Sequence, residues 1–307
     1  MNILTSDTAS IGPYIRHITM PGSISHKGQN GKILVIGGSS LFHGAVLWAA
    51  EAASHIVDMV HVASTSENNE IIQKIKVMWQ TGIVIPQHAI LDYAQEDDVI
   101  LIGNGMMRTD KSHTAPFDTH KDWSDILNVQ NEGEFTKDLV YYLITRFPDK
   151  QFVLDAGALQ MMEPEWLLLL QKKAIITPHQ KEFQTLFSVD LSGLNSQEKE
   201  EIVKKTAQEY SCIILLKTID DIVSDGSKTV CIQGGNAGLT KGGTGDILAG
   251  LVAGICATSD PFTSAIIASL LLKKTAEELF TIKGYWYTAK DIVAQFPVVF
   301  YSLLKGL

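Results

Sequence analysis

The chain has 307 residues with 25 Lys and Arg against 34 Asp and Glu, a formal charge of −9. With 45% hydrophobic and 19% charged residues, it is too apolar for a disordered protein and long enough to bury a large core without disulfides. The acidic balance argues against a nucleic-acid-binding surface, although any phosphate chemistry then needs an anion site that does not depend on net charge.

The start, MNILTSDTASIGPYIRH, lacks the basic and apolar stretches of a signal peptide, so a cytoplasmic location is expected. Lys32–Ile36 reads as a buried strand ended by Gly37-Gly38, His43–Ile56 as an Ala-rich helix and Met59–Ala63 as the next strand. Further strands are predicted at Ile83–Ile85, Asp98–Ile102, Gln151–Leu154, Ala174–Ile176, Ile213–Lys217, Asp221–Ser224 and Thr229–Ile232. The last two flank Asp225-Gly226, a turn signal that predicts a hairpin. The first predicted strand begins only about 30 residues into the chain, so no separate domain is expected ahead of it.

Between Met106 and Lys137, mixed charge with Asn, Gly and Thr reads as a surface insertion, an ordered or mobile flap. Asn195 followed by Glu198 predicts a capped helix continuing to Tyr210. Ile247, Leu248, Leu251, Val252 and Ile255 recur at helical spacing, and two more helices are predicted over Phe262–Phe280 and Thr288–Leu304. The apolar runs Ile247–Thr258 and Ala265–Leu272 are too short to cross a bilayer. Cys212, Cys231 and Cys256 are widely spaced in apolar stretches and read as buried thiols rather than a disulfide or zinc site. Short apolar runs alternating with helices predict one three-layer α/β/α domain over residues 1–307, with a mainly parallel sheet.

The strongest local signal is Gly242-Gly243-Thr244-Gly245-Asp246 opening a helix. Glycines let successive backbone N–H groups approach a ligand, and a helix start supplies free N–H groups and a positive dipole end. A carboxylate there suits a base that deprotonates a hydroxyl attacking phosphorus, or simply an acidic residue stabilising the helix start. Neither a Gly-x-x-x-x-Gly-Lys-Ser/Thr loop, nor Gly-x-Gly-x-x-Gly after the first predicted strand, nor His-Glu-x-x-His, nor Gly-x-Ser-x-Gly occurs.

This stretch resembles the anion hole and catalytic Asp of the ribokinase-like superfamily. Within it, the chain is similar to the ADP/ATP-dependent NAD(P)H-hydrate dehydratases. The resemblance is carried in order by His26-Lys27-Gly28, Gly31–Ser39 and Gly44-Ala45, then Ile102-Gly103-Asn104-Gly105 and Leu154-Asp155-Ala156-Gly157-Ala158-Leu159. Thr177-Pro178-His179-Gln180-Lys181-Glu182-Phe183 and Thr288-Ala289-Lys290-Asp291-Ile292 complete it, covering about residues 15–305.

The resemblance implies that a nucleotide, ADP or ATP with Mg²⁺, phosphorylates the ring hydroxyl of hydrated NADH or NADPH, after which phosphate is eliminated. It implies Asp246 as base, Gly243, Thr244 and Gly245 as anion hole, and Ala45, Gly105, His179 and Asp246 as substrate contacts. Lys217, Thr218, Ile219, Asp220 and Asp221, with Gly245, would meet the adenine nucleotide. A homotetramer, a separate epimerase acting on the other epimer, and no dedicated metal cage, nucleic acid or membrane partner are further expectations. The chain departs from the family pattern where Asn104-Gly105-Met106-Met107 replaces Pro-Gly-Leu-Gly, where Gly157 replaces an Asp, and where Thr218 replaces a Gly. Two other readings share the glycine motif: a hydroxyethylthiazole or hydroxymethylpyrimidine kinase, and a nucleotide-binding module without catalysis.

Overall fold

In the computed structural model, which describes residues 2–76, 79–110 and 118–305, ten strands form one sheet. They are β1 (Asn2–Leu4), β2 (Lys32–Ile36), β3 (Met59–Ala63), β4 (Ile83–Ile85), β5 (Val99–Ile102), β6 (Gln151–Leu154), β7 (Ile175–Ile176), β8 (Ile213–Leu216), β9 (Asp221–Ser224) and β10 (Thr229–Gln233). Their order is β1-β10-β9-β8-β7-β6-β5-β2-β3-β4. Every pairing is parallel except those of β9, which runs antiparallel to β8 and to β10.

The helices are α1 (Thr8–Ile15), α2 (Gly44–Ser54), α3 (Ser66–Ile75), α4 (Ile90–Glu96), α5 (Trp123–Leu127), α6 (Glu132–Arg146), α7 (Ala156–Met161), α8 (Gln180–Phe187), α9 (Ser196–Glu209), α10 (Thr244–Cys256), α11 (Pro261–Lys283) and α12 (Ala289–Lys305). Alternation along the strands feeds two cores. Ile33, Val35, Val99 and Leu101 face the core built with α1, α2, α10, α11 and α12. Leu34, Ile36, Ile100 and Ile102 face the core built with α4, α6, α7, α8 and α9. A sheet covered on both faces needs apolar residues at successive positions, which is why these strands read as unbroken apolar runs.

On the first face α2 and α10 meet through small residues. A Cβ on Gly250 would lie 2.1 Å from the Ala49 carbonyl oxygen, so only glycine permits this approach. Gly250→Leu is expected to lower stability by roughly 1–3 kcal/mol, the usual cost of overpacking, because backbone rather than a side chain must yield. Denaturant midpoints would show it, and an unchanged midpoint would contradict this helix crossing.

The predicted hairpin is present: Gly226 has φ +87°, and the Asp225 carboxylate accepts from the amides of Ser227 and Lys228 at 2.8 and 2.7 Å. Asn195 caps α9 in a reciprocal box with Glu198. All three cysteines are buried and free. Among the described residues, no helix is long and apolar enough to cross a membrane.

One expectation needs correction. Lys32–Ile36 is not the first strand, since β1 precedes it and pairs with β10 through Asn2–Leu4. Parts of the segment 106–137 pack against the rest of the fold. Met106 and Ile126 are buried, the Thr136 hydroxyl donates to the Met107 carbonyl at 2.8 Å, and α6 begins inside it. Residues 111–117 of that segment lie outside the described residues.

Candidate active site at the carboxyl edge of the sheet

Parallel strands end on one edge, and ligand sites of open α/β sheets form there. Four strand ends deliver the polar residues. After β5 come Gly103 (φ +124°), Asn104 and Gly105 (φ +72°). After β6 comes Asp155, after β7 Thr177 and His179, and after β8 Lys217. The loop after β2 packs beside them, with the Gly38 amide donating to the Asn104 carbonyl at 2.7 Å.

Helix α10 closes the group. Gly243 is its N-cap with φ +95°, and no side chain caps the helix. The first-turn amides of Gly245 and Asp246 therefore point into the site without an intrahelical partner. A Cβ on Gly245 would lie 3.7 Å from Lys217 Nζ, which places the ammonium beside these amides. Thr244 contributes differently from Gly243 and Gly245. Its amide donates to the Lys241 carbonyl at 3.4 Å, and its hydroxyl donates to the Leu239 and Lys241 carbonyls at 2.7 and 2.9 Å. It fixes the turn and does not offer a free donor.

The ionisable groups form one network. Asn104 Nδ2 donates to Asp155 Oδ2 and to Asp246 Oδ1, both at 2.9 Å. Asp155 Oδ1 accepts from Lys217 Nζ and from the Thr177 hydroxyl, each at 2.9 Å. Lys217 Nζ also lies 3.6 Å from Glu182 Oε2. Burial raises the Asp246 pKa to about 6, and the neighbouring Asp155 adds to the rise, while the Asn104 hydrogen bond and Lys217 oppose it. Burial works against the Lys217 ammonium, yet Asp155 and Glu182 outweigh it and hold its pKa above the usual lysine value. Burial likewise opposes ionisation of Glu182, but His179 and Lys217 bring it down to about 2. A carboxylate poised near neutrality among fixed charges is a pattern expected of a base.

The sequence-selected residues fall into three groups. Gly243, Gly245 and Asp246 share the first turn of α10, and Lys217 Nζ stands beside Gly245. Ala45 and Gly105 meet each other, since a Cβ on Gly105 would come 2.8 Å from that of Ala45, and Asn104 ties their loop to Asp246. His179 joins through Glu182: its Nε2 lies 3.2 Å from Glu182 Oε1, and its Nδ1 accepts from the amides of Lys181 and Glu182 at 3.1 and 3.2 Å. Both ring nitrogens thus serve the start of α8, and its ring is half exposed toward solvent.

The loop 217–221 is split. Ile219 is 90% exposed at its tip, whereas Asp221 is buried and turned inward. The Asp221 carboxylate accepts from the Thr218 amide at 2.9 Å and from the Ser269 hydroxyl at 2.7 Å, and Lys273 Nζ stands 3.7 Å away. Lys273 Nζ donates to the Ile219 carbonyl at 2.6 Å, so Asp221 and Lys273 shape the loop from beneath. The Thr218 hydroxyl donates to the Asp220 carbonyl. Asn104, Asp155, Thr177 and Glu182 were not selected from the sequence as site residues, although each lies within a quoted motif just beyond a strand end.

A structure described as a ribokinase-like superfamily protein from Enterococcus faecalis matches with a TM-score of 0.76 at 19% identity, over 98% of this chain and 96% of that one. The ADP/ATP-dependent NAD(P)H-hydrate dehydratase of Bacillus subtilis, co-crystallized with ATP/Mg²⁺, gives 0.73 at 22% identity, over 94% and 96%. These likenesses establish the ribokinase-like fold. In sequence, the chain is 32% identical over 285 residues to the bifunctional NAD(P)H-hydrate repair enzyme Nnr of Methanocaldococcus jannaschii, covering 90% of this chain and 49% of that protein. It therefore spans about half the length of that relative. It is also 32% identical over 286 residues to the ADP-dependent (S)-NAD(P)H-hydrate dehydratase of Cenarchaeum symbiosum, covering 90% of each. With residues 33–297 also matched by the model of the family described as NAD(P)H-hydrate dehydratase, the chain belongs to that family.

Proposed function

We propose that this chain restores NAD(P)H from its (S)-hydrate, using ADP, or ATP in its place, as phosphoryl donor. The observation that carries the reading is the Asp246 carboxylate, with a pKa of about 6, placed at the uncapped start of α10 beside free amides and the Lys217 ammonium. Asp246 takes the proton of the ring hydroxyl as its oxygen attacks the terminal phosphorus, and AMP leaves when ADP is the donor. The Gly243 and Gly245 amides hold the charge that develops on the transferred group. The carbon–oxygen bond then breaks with its electron pair going to phosphate, the adjacent ring carbon loses a proton, and the ring double bond returns. Phosphorylation matters because phosphate is a far better leaving group than hydroxide.

Ala45, Gly105 and the exposed edge of His179 line the substrate side in this reading. Lys217, Thr218, Ile219 and Asp220 line the nucleotide side, with Asp221 acting through the loop. Among the described residues, no group of three or more His, Cys, Asp or Glu is arranged to hold a metal ion. A Mg²⁺ ion would thus arrive on the nucleotide phosphates, and no step is assigned to it. ADP is favoured because the Cenarchaeum symbiosum relative, matched along nearly its whole length, is named ADP-dependent. A cytoplasmic homotetramer working beside a separate epimerase completes the proposal.

Purified protein given NADH hydrate and ADP is expected to release phosphate in step with the returning near-ultraviolet absorbance of NADH. A stable phosphorylated product without NADH would point instead to a kinase. The base must be ionised to act, so kcat/KM is expected to fall as pH drops through about 6, the value set by burial at Asp246. An acid limb near an ordinary aspartate pKa would contradict this assignment.

A further inference from the structure

We propose that Asn104 is the positioning residue of the base: its side-chain amide clamps Asp155 and Asp246 together and leaves Asp246 Oδ2 alone to receive the substrate proton. The inference rests on the reading of Asp246 as the base and adds the residue that orients it. The two donor contacts, 2.9 Å to Asp155 Oδ2 and 2.9 Å to Asp246 Oδ1, use both amide hydrogens. Because both neighbours are carboxylate acceptors, the NH₂ end must face them, which fixes the amide's orientation.

The residue has no freedom to shift. Asn104 is wholly buried, its carbonyl is held by the Gly38 amide at 2.7 Å, and a Cβ on Gly37 would come 2.3 Å from that carbonyl. Its Oδ1 is buried without a hydrogen-bond partner, an arrangement that disfavours the folded state. A leucine of similar size would avoid that penalty. What an amide adds here is two uncharged donors between two carboxylates that would otherwise repel.

The lack of charge is the useful part. The charged groups facing Asp246 are Asp155 after β6, Glu182 on α8 and Lys217 after β8. Lys217 is bound directly to Asp155, so the cation neutralises that carboxylate and reaches Asp246 only through space. A second cation in place of Asn104 would pull Asp246 down and weaken it as a base. Asn104 instead favours the ionised form mildly while fixing one oxygen. During the reaction the hydroxyl proton passes to Oδ2, and Oδ1 keeps its bond to Nδ2 throughout.

The test compares wild type, Asn104→Leu and Asn104→Ser, the last offering one donor for two acceptors and adding no bulk. The acid limb of kcat/KM is expected to move up by about one pH unit in Asn104→Leu and by less in Asn104→Ser, with much of the rate regained at higher pH. Infrared titration of the Asp246 carboxyl, assigned by its absence in Asp246→Asn, is expected to shift the same way. A loss of rate by the same factor at every pH, with an unmoved carboxyl midpoint, would overturn the proposal and leave Asn104 a packing residue. If Asn104→Leu does not fold, the Asn104→Ser titration decides alone. Full turnover in Asp246→Asn would overturn the base assignment, while the infrared midpoints would still judge the clamp.

Discussion

Asp246→Asn is expected to lose about 10²–10⁴-fold in turnover, the range contributed by a positioned general base, while adenine-nucleotide binding stays essentially unchanged. The substitution keeps shape and packing, and the new amide oxygen still accepts from Asn104 Nδ2, whose present bond to Asp246 is 2.9 Å. The α10 amides and Lys217 remain in place, so the anion site survives. What disappears is the acceptor for the hydroxyl proton. Steady-state rates beside calorimetric nucleotide binding separate the two effects. Near-normal turnover would place the base elsewhere, and a matching loss of binding would make Asp246 part of the nucleotide site.

The second large effect is on stability. Lys217→Met removes the cation that lies 2.9 Å from Asp155 and 3.6 Å from Glu182, whose side chains are only 2% and 6% exposed. Leaving buried carboxylates unpaired usually costs about 3–5 kcal/mol. The Lys217 side chain keeps 19% exposure, so the lower end, about 3 kcal/mol, is expected at neutral pH. The pH dependence follows from Glu182, whose pKa falls from the usual 4.5 to about 2 in the folded chain. Its contribution is present above the unfolded value and is lost as pH falls toward about 2, so the gap between wild type and Lys217→Met should narrow in acid. Chemical denaturation at several pH values measures this. A neutral-pH loss below about 1 kcal/mol, typical of exposed ion pairs, would contradict the buried network.

The sheet interior was legible because apolar runs such as Lys32–Ile36 and Gln151–Leu154 must be continuous when helices cover both faces. Caps and turns with dedicated chemistry, Asn195 with Glu198 and Asp225-Gly226, were legible as well. Strand β1 escaped because its three residues carry no pattern, and its pairing with β10 lies far along the chain. Helix α6 escaped because Gly133, Thr136 and Asp138 are buried among its apolar residues and blur the period.

At the site, Gly243, Gly245 and Asp246 declared themselves through one short motif. Its neighbours Asn104, Asp155 and Glu182 did not, since they come from separate strand ends and meet Asp246 and Lys217 only in the folded chain. Asp221 shows a placement that its position along the chain does not reveal. Four residues from Lys217, it turns away toward Ser269 and Lys273 because β9 reverses direction there.

The central claim is that the ring hydroxyl leaves as phosphate. NADH hydrate whose ring hydroxyl carries oxygen-18, incubated with this protein and ADP, tests it directly by mass analysis of the released phosphate. The label is expected in inorganic phosphate, matching the NADH regained. Label appearing in water, with NADH restored and phosphate unlabelled, would show direct loss of hydroxide and contradict the mechanism built on Asp246 and the α10 amides.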